Sequence, residues 1–102
     1  MDTLIRIKQL VLAGKTLFTS KAQIEMERDA LREEDVREAI INAPSISKTI
    51  RSRKKSAKKP EYLHIIHGLT YSGLYIYTKG KISHHKGEDY LYVIISSKRD
   101  IG

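Results

Sequence analysis

The chain has 102 residues, 40% of them hydrophobic, and its 19 Lys and Arg against 12 Asp and Glu give a net charge of +7. This length allows one domain with a modest core. The lack of cysteine excludes disulfides and thiolate metal sites, and no apolar run reaches the roughly 18 residues that a membrane span needs. Charges at Arg6 and Lys8 interrupt the N-terminal segment, which therefore lacks the apolar core of a signal peptide. These features favour a cytoplasmic protein without a membrane partner.

The positive charge is concentrated in the second part of the chain. Residues 1–43 hold seven Lys and Arg against eight Asp and Glu, whereas residues 44–102 hold twelve against four. A segment of this kind suits a polyanion, and nucleic acid is the first candidate.

The chain begins with a predicted helix from Thr3 to Ala13. Leu4, Ile7 and Val11 recur at the spacing of one helical face. Gly14 follows at the position where a helix commonly ends.

Two more helices are predicted before residue 44. One begins near Ser20, because Ser20 and Gln23 have the spacing of a capping box. The next covers residues 32–42, with three acidic residues in its first turn, where negative charge suits the helix dipole. Pro44 prevents this helix from continuing.

The pattern then changes to strands rich in β-branched and aromatic residues. The predicted strands are Ser45–Arg51, Tyr62–His67, Leu74–Ile82 and Asp89–Ser97. The fold class that follows is α+β: one domain over 1–102, with the helices of 1–43 packed on one face of a small antiparallel sheet formed by 44–102. We expect Tyr, His and Lys side chains to collect on the face opposite the helices.

A basic run, RSRKKSAKK, occupies residues 51–59 and holds six cations in nine positions. It predicts an exposed loop, either solvated without a partner or, as the charge density favours, in contact with phosphates or an acidic protein. The predicted RNA-binding residues are Arg51, Arg53, Lys54 and Lys55 in this run and Lys79 on a strand.

Several strand residues have side chains suited to acid-base chemistry on RNA. Metal-free cleavage needs a base for the 2′-hydroxyl proton, an acid for the departing 5′-oxygen and cations for the phosphate charge. His64, His67, Tyr77, Lys48 and Lys98 are the candidates, with Tyr75 nearby. Each histidine could equally be structural, and the tyrosines fit strand propensity alone.

Other chemistries find no support in the sequence. His84 and His85 lie in a predicted turn without further ligands nearby, so we expect solvated side chains there and no metal. The chain has no P-loop, GxGxxG, HExxH or GxSxG motif, and no cofactor is expected.

Two parts of the chain resemble a known toxin group. They are LIRIKQLVLAGK with FTSKAQIEMERDALREEDVREAIINA, and HGLTYSGLYIYTKGKI with YLYVIISSKRD. Together they resemble the MqsR-type toxins within the RelE-like mRNA interferases, and ERDALREEDVREAI is similar to RelE-like domains often encoded beside a zinc-finger and helix-turn-helix antitoxin. The resemblance implies a RelE-like fold and a metal-independent endoribonuclease that cleaves mRNA. It also implies a cognate antitoxin that holds the enzyme inactive.

The resemblance also assigns roles to single residues. Lys48 in SISKTI, Tyr77 in YIYTK and Lys98 in ISSKRD match functional positions of the MqsR-type toxins, whereas His64 stands where that group has Gln. Because histidine titrates near neutral pH, His64 is the first candidate for the general acid or base, and His67 is the second.

Two further functions stay open at this stage. The basic sheet could form a non-catalytic RNA- or ribosome-binding domain, or the basic loop could dock an acidic protein. Whether ribosomes take part, which antitoxin binds and whether the chain dimerises are also open.

Overall fold

The computed structural model describes residues 2–52 and 60–100, and the predicted α+β class is confirmed. Within these residues three helices pack against a five-stranded sheet. The helices are α1 (Thr3–Leu12), α2 (Ser20–Arg28) and α3 (Glu33–Asn42). The strands are β1 (Thr16–Phe18), β2 (Lys48–Arg51), β3 (Tyr62–Leu69), β4 (Tyr75–His85) and β5 (Glu88–Arg99).

The strands lie in the order β1-β5-β4-β3-β2. All neighbours are antiparallel except β1, which runs parallel to β5 and pairs Thr16 with Tyr92 and Phe18 with Ile94. β1 is not among the predicted strands, and it makes the sheet mixed at this edge. Three residues are too few to show an alternating pattern, so the strand exists because of its pairing with β5.

The helix starts differ slightly from the expected caps. α2 begins after Thr19 rather than being capped by Ser20, since the Thr19 hydroxyl accepts the Ala22 N–H at 3.2 Å. α3 begins after Arg32, whose backbone N–H donates to the Asp35 carboxylate at 2.9 Å. The acidic first turn of α3 thus acts as a cap as well as a dipole partner.

Alternate strand residues form the core with the helices. The buried apolar side chains are Ile7, Leu10, Val11, Phe18, Ala22, Met26, Leu31, Val36, Ala39, Ile40, Ala43, Ile66, Ile76, Tyr92 and Ile94. On β3 and β4 the residues between the buried ones are half-buried or exposed: Leu63, Ile65, His67, Leu69, Tyr75, Tyr77 and Lys79. Because side chains alternate across a strand, these residues lie on the sheet surface away from the helices, which we call the open face.

Two glycines of the sheet allow close contacts, one with the backbone of α3 and one with the ring of Tyr92. A Cβ on Gly68 would lie 1.8 Å from the backbone oxygen of Ala39, so α3 sits directly on β3. A Cβ on Gly80 would lie 2.6 Å from Cζ of the buried Tyr92 ring. Neither approach leaves room for a side chain.

β5 contains two irregularities in its pairing with β4. The register shifts between Lys79 and Gly80 and again between Ser83 and His84. Each shift adds one residue to β5 and changes which of its side chains reach the open face. The first of them decides where Lys98 points.

Candidate active site

Three predicted catalytic residues form a row across the open face. His67 of β3 lies opposite Tyr77 of β4, and Tyr77 lies opposite Lys98 of β5. Paired residues on antiparallel strands share a face, and neighbouring strands are about 4.8 Å apart. The three side chains therefore project together, and we call them the central row.

His67 is held by hydrogen bonds at both ring nitrogens. Its Nδ1 lies 2.8 Å from Ser47 Oγ, and its Nε2 lies 3.2 Å from Asp100 Oδ2. A carboxylate accepts hydrogen bonds, so Nε2 is the donor toward Asp100, and in the neutral form of the ring this leaves Nδ1 to accept from the Ser47 hydroxyl. Ser47 is itself fixed, because its N–H donates to the Ile65 carbonyl at 2.8 Å. The result is a partly exposed imidazole with a defined orientation.

Tyr77 lies between an imidazole and an ammonium group. Its ring centroid is 5.5 Å from that of His67, edge to face, and the Nζ of Lys98 is 5.4 Å from the Tyr77 centroid. Burial raises the pKa of the Tyr77 phenol, and the negative charge of Glu25 adds to this effect. The phenol therefore keeps its proton at neutral pH and is available as a donor.

Two more lysines lie beside the central row, both on the same side of it. Lys48 of β2 lies opposite Ile65 of β3, and Ile65 lies opposite Lys79 of β4. Both lysines project from the open face, two residues and about 7 Å along the strands from the central row. Among the described residues, neither of them nor Lys98 has an ion-pair partner. Their charges are thus available to a bound anion.

His64 lies on the opposite side of the sheet from the central row. It is three positions from His67 on a regular strand, so the two side chains point in opposite directions. Only 8% of His64 is exposed, and its Nδ1 is 3.2 Å from Thr49 Oγ1. Burial lowers the pKa of His64, and the charge of Arg6 lowers it further. The structure does not bring His64 together with Tyr77 and Lys98, and His67 takes that place.

His64 lines a cleft of about 690 Å³ on the helix side of the sheet. Arg6 donates two hydrogen bonds of 2.7 Å to the Asp89 carboxylate in this region, and they hold the pKa of Asp89 below its usual range. His84 also contacts Asp89, at 3.2 Å. Because the main charges at this cleft are paired with each other, it is less suited to phosphate than the open face.

The predicted RNA-binding residues separate into three groups. Lys79 belongs to the open face. Arg51 lies opposite Tyr62 at the end of β2. It is three positions from Lys48 on the same strand, so its exposed side chain is on the other side of the sheet. Arg53, Lys54 and Lys55 lie outside the described residues.

Ser47 and Asp100 are the two site residues that the sequence analysis missed. Asp100 follows Lys98 by two positions, a spacing that places both on one face of an extended segment. That spacing was a usable signal. Nothing local connects Ser47 with His67, which is 20 positions away.

Comparisons with known proteins identified no relative of this chain. A scan with family models found no match to the chain, and searches of curated proteins and of solved structures found no similar protein. Among residues 2–52 and 60–100, no group of three or more His, Cys, Asp and Glu is placed to hold a metal ion. None of the helices in these ranges is long and apolar enough to cross a membrane.

Proposed function

We propose that this protein is a metal-independent endoribonuclease with its active site on the open face. The observation that carries the proposal is His67, oriented by Ser47 and Asp100 and placed beside Tyr77 and Lys98. These side chains supply the base, the proton donor and the cation that cleavage of RNA requires.

The reaction follows from the roles that these positions allow. The 2′-hydroxyl replaces the Ser47 hydroxyl as the hydrogen-bond partner of His67 Nδ1, and Nδ1 takes its proton. O2′ then forms a bond to the adjacent phosphorus. The bond from phosphorus to O5′ breaks, and the Tyr77 phenol donates its proton to the departing oxygen. Lys98 stabilises the charge on the phosphorane. The products are a 2′,3′-cyclic phosphate and a 5′-hydroxyl, and both side chains regain their protonation state from solvent.

The biological role in this proposal is that of a toxin acting on mRNA in the cytoplasm. Lys48 and Lys79 bind phosphates beside the scissile bond. A cognate antitoxin holds the enzyme inactive. This role is supported by the resemblance of YIYTK and ISSKRD to the MqsR-type pattern, whose tyrosine and lysine are both in the central row.

The test is cleavage of RNA by the purified protein in EDTA. We expect discrete fragments that end in a 2′,3′-cyclic phosphate, and no cleavage of RNA that lacks 2′-hydroxyls. His67→Gln removes the base and should slow cleavage by about 10² to 10⁴-fold. His85→Gln, at an exposed histidine at the far end of β4, should cleave normally.

Two results would count against the proposal. If RNA stays intact with the wild-type protein, both alone and with ribosomes, the protein is not an endoribonuclease. If that RNA is still bound, the protein is an RNA-binding domain. Loss of cleavage in His64→Gln with normal cleavage in His67→Gln moves the chemistry from the open face to the cleft.

A further inference from the structure

An exposed apolar surface adjoins the central row. Tyr75 lies two positions before Tyr77 on β4 and directly opposite Leu69 of β3, so both share the open face. Tyr75 is 42% exposed and Leu69 is 54% exposed. An aromatic ring and a leucine side by side, next to three lysines without ion-pair partners among the described residues, combine the two features that single-stranded nucleic acids bind.

The Tyr75 ring is held in place before any ligand binds. It is stacked on His67, with the ring centroids 5.8 Å apart and the planes 12° from parallel. The backbone carbonyl of Tyr75 accepts the Asp100 N–H at 2.9 Å. Because the ring already has a stacked partner, a base that stacks on Tyr75 needs to order little of the protein on binding.

The open face therefore carries three rows in order along the strands. Lys48 and Lys79 form the first, the central row is the second, and Leu69 with Tyr75 forms the third. With a phosphate bound by the lysines and the scissile bond at His67, this order would leave Tyr75 to a neighbouring base.

We propose that Tyr75 is a stacking site for one base of single-stranded RNA, beside the scissile phosphate. In a duplex the faces of each base are covered by its neighbours, so only an unpaired strand can offer a base to the ring. Stacking accepts any base because each has a π-face. The inference rests on the proposed function in taking RNA as the ligand, but it does not require that the RNA be cleaved.

The experiment measures binding of a fluorescent single-stranded 2′-fluoro RNA by anisotropy in EDTA. This RNA lacks the 2′-hydroxyl nucleophile, so binding is separated from cleavage. Tyr75→Ala and Tyr75→Leu should each weaken binding by roughly tenfold, because both lose the aromatic ring. Tyr75→Phe should bind as the wild type does. The matched control is Tyr90→Ala, at a tyrosine that is 50% exposed at the opposite end of the sheet, and it should have no effect.

A scan of abasic positions in the same RNA identifies the stacked base. Removing a base that stacks on Tyr75 should weaken RNA binding to the wild type more than it weakens RNA binding to Tyr75→Ala, which has already lost the stacking partner. A duplex of the same sequence should bind more weakly and show no effect of Tyr75→Ala. Thermal melting by circular dichroism shows which variants are folded, and Tyr75→Leu replaces Tyr75→Ala if the latter unfolds.

The proposal is overturned by RNA affinity that is unchanged in folded Tyr75→Leu, which would leave the surface to a protein partner. It is also overturned if removing a base weakens binding to Tyr75→Ala as much as it weakens binding to the wild type at every position. If the stacking signature is found but wild-type protein leaves ordinary RNA intact, the base site stands and the nuclease function does not.

Discussion

His64 and His67 show how position on a strand decides what a histidine can do. Three positions apart on β3, one is buried beside Thr49 and the other is held between Ser47 and Asp100 on the open face. The same side chain is thus a structural group in one place and a candidate base in the other. The sequence shows that His64 and His67 lie on opposite faces of a strand. It does not show which of these faces the helices cover, and that decides which histidine is buried.

The buried histidine predicts a loss of stability in mild acid. The pKa of His64 is lowered from 6.5 in the folded protein, mainly by burial. As the pH falls below about 6.5, the unfolded chain takes up a proton that the folded protein resists, so the free energy of unfolding should fall through the window between the two pKa values. Urea denaturation at pH 7.5 and at several pH values below 6.5 measures this slope.

His64→Gln should show a shallower decrease with falling pH than the wild type. His85→Gln, at an exposed position, serves as the control and should follow the wild type. An unchanged pH slope in His64→Gln would mean that burial of this ring does not oppose its protonation.

At the scale of secondary structure, Glu25 links α2 to the strand that carries Lys98. Its buried carboxylate accepts from Ser96 Oγ at 2.8 Å and from the Ser97 N–H at 3.1 Å. Both donors lie just after the register shift that falls between Lys79 and Gly80 on β4. The helix therefore satisfies the backbone where the strand pairing is interrupted.

Removing this carboxylate should destabilise the fold. Glu25→Ala leaves two buried donors without an acceptor and is expected to cost about 1–3 kcal/mol in the free energy of unfolding. Glu25→Gln keeps an acceptor oxygen and should cost less. Glu27→Ala, at an exposed position of the same helix, is the control. Equal values for Glu25→Ala and Glu27→Ala in chemical denaturation would show that the contact contributes nothing.

The elements with long periodic patterns could be predicted from sequence, and the ones set by distant pairing could not. The three helices and the strands β3, β4 and β5 follow their hydrophobic patterns within a few residues. Lys98 is different, because a regular β5 would place it on the same side as Tyr92, facing the helices. The register shift between Lys79 and Gly80 reverses the alternation, and this depends on how β5 packs against β4 and α2.

At the scale of the whole molecule, the sheet separates a core-forming side from a charged one. Lys48, Lys79 and Lys98 are on the open face, while the helices hold nearly equal numbers of acidic and basic residues. Affinity for a polyanion should therefore depend on this face and decrease steeply as salt increases.

The salt dependence of RNA binding tests this arrangement. Uncleavable RNA should bind with a linear decrease of log affinity against log salt concentration, and Lys48→Ala should reduce the slope by about 0.7, the value for one phosphate contact of a single strand. Lys21→Ala removes an exposed cation on α2 and should leave the slope unchanged. Equal slopes for Lys48→Ala and Lys21→Ala would place the RNA elsewhere.

The contact of Gly68 with α3 has an evolutionary consequence. A side chain at this position would collide with the backbone of Ala39, and Gly68 directly follows His67. In any descendant or ancestor that keeps α3 at this distance, selection on packing alone preserves a glycine beside the histidine. Diverged relatives of this chain should therefore be sought by this glycine, together with the histidine before it and the Tyr-x-Tyr and Lys-x-Asp positions that the proposed site uses.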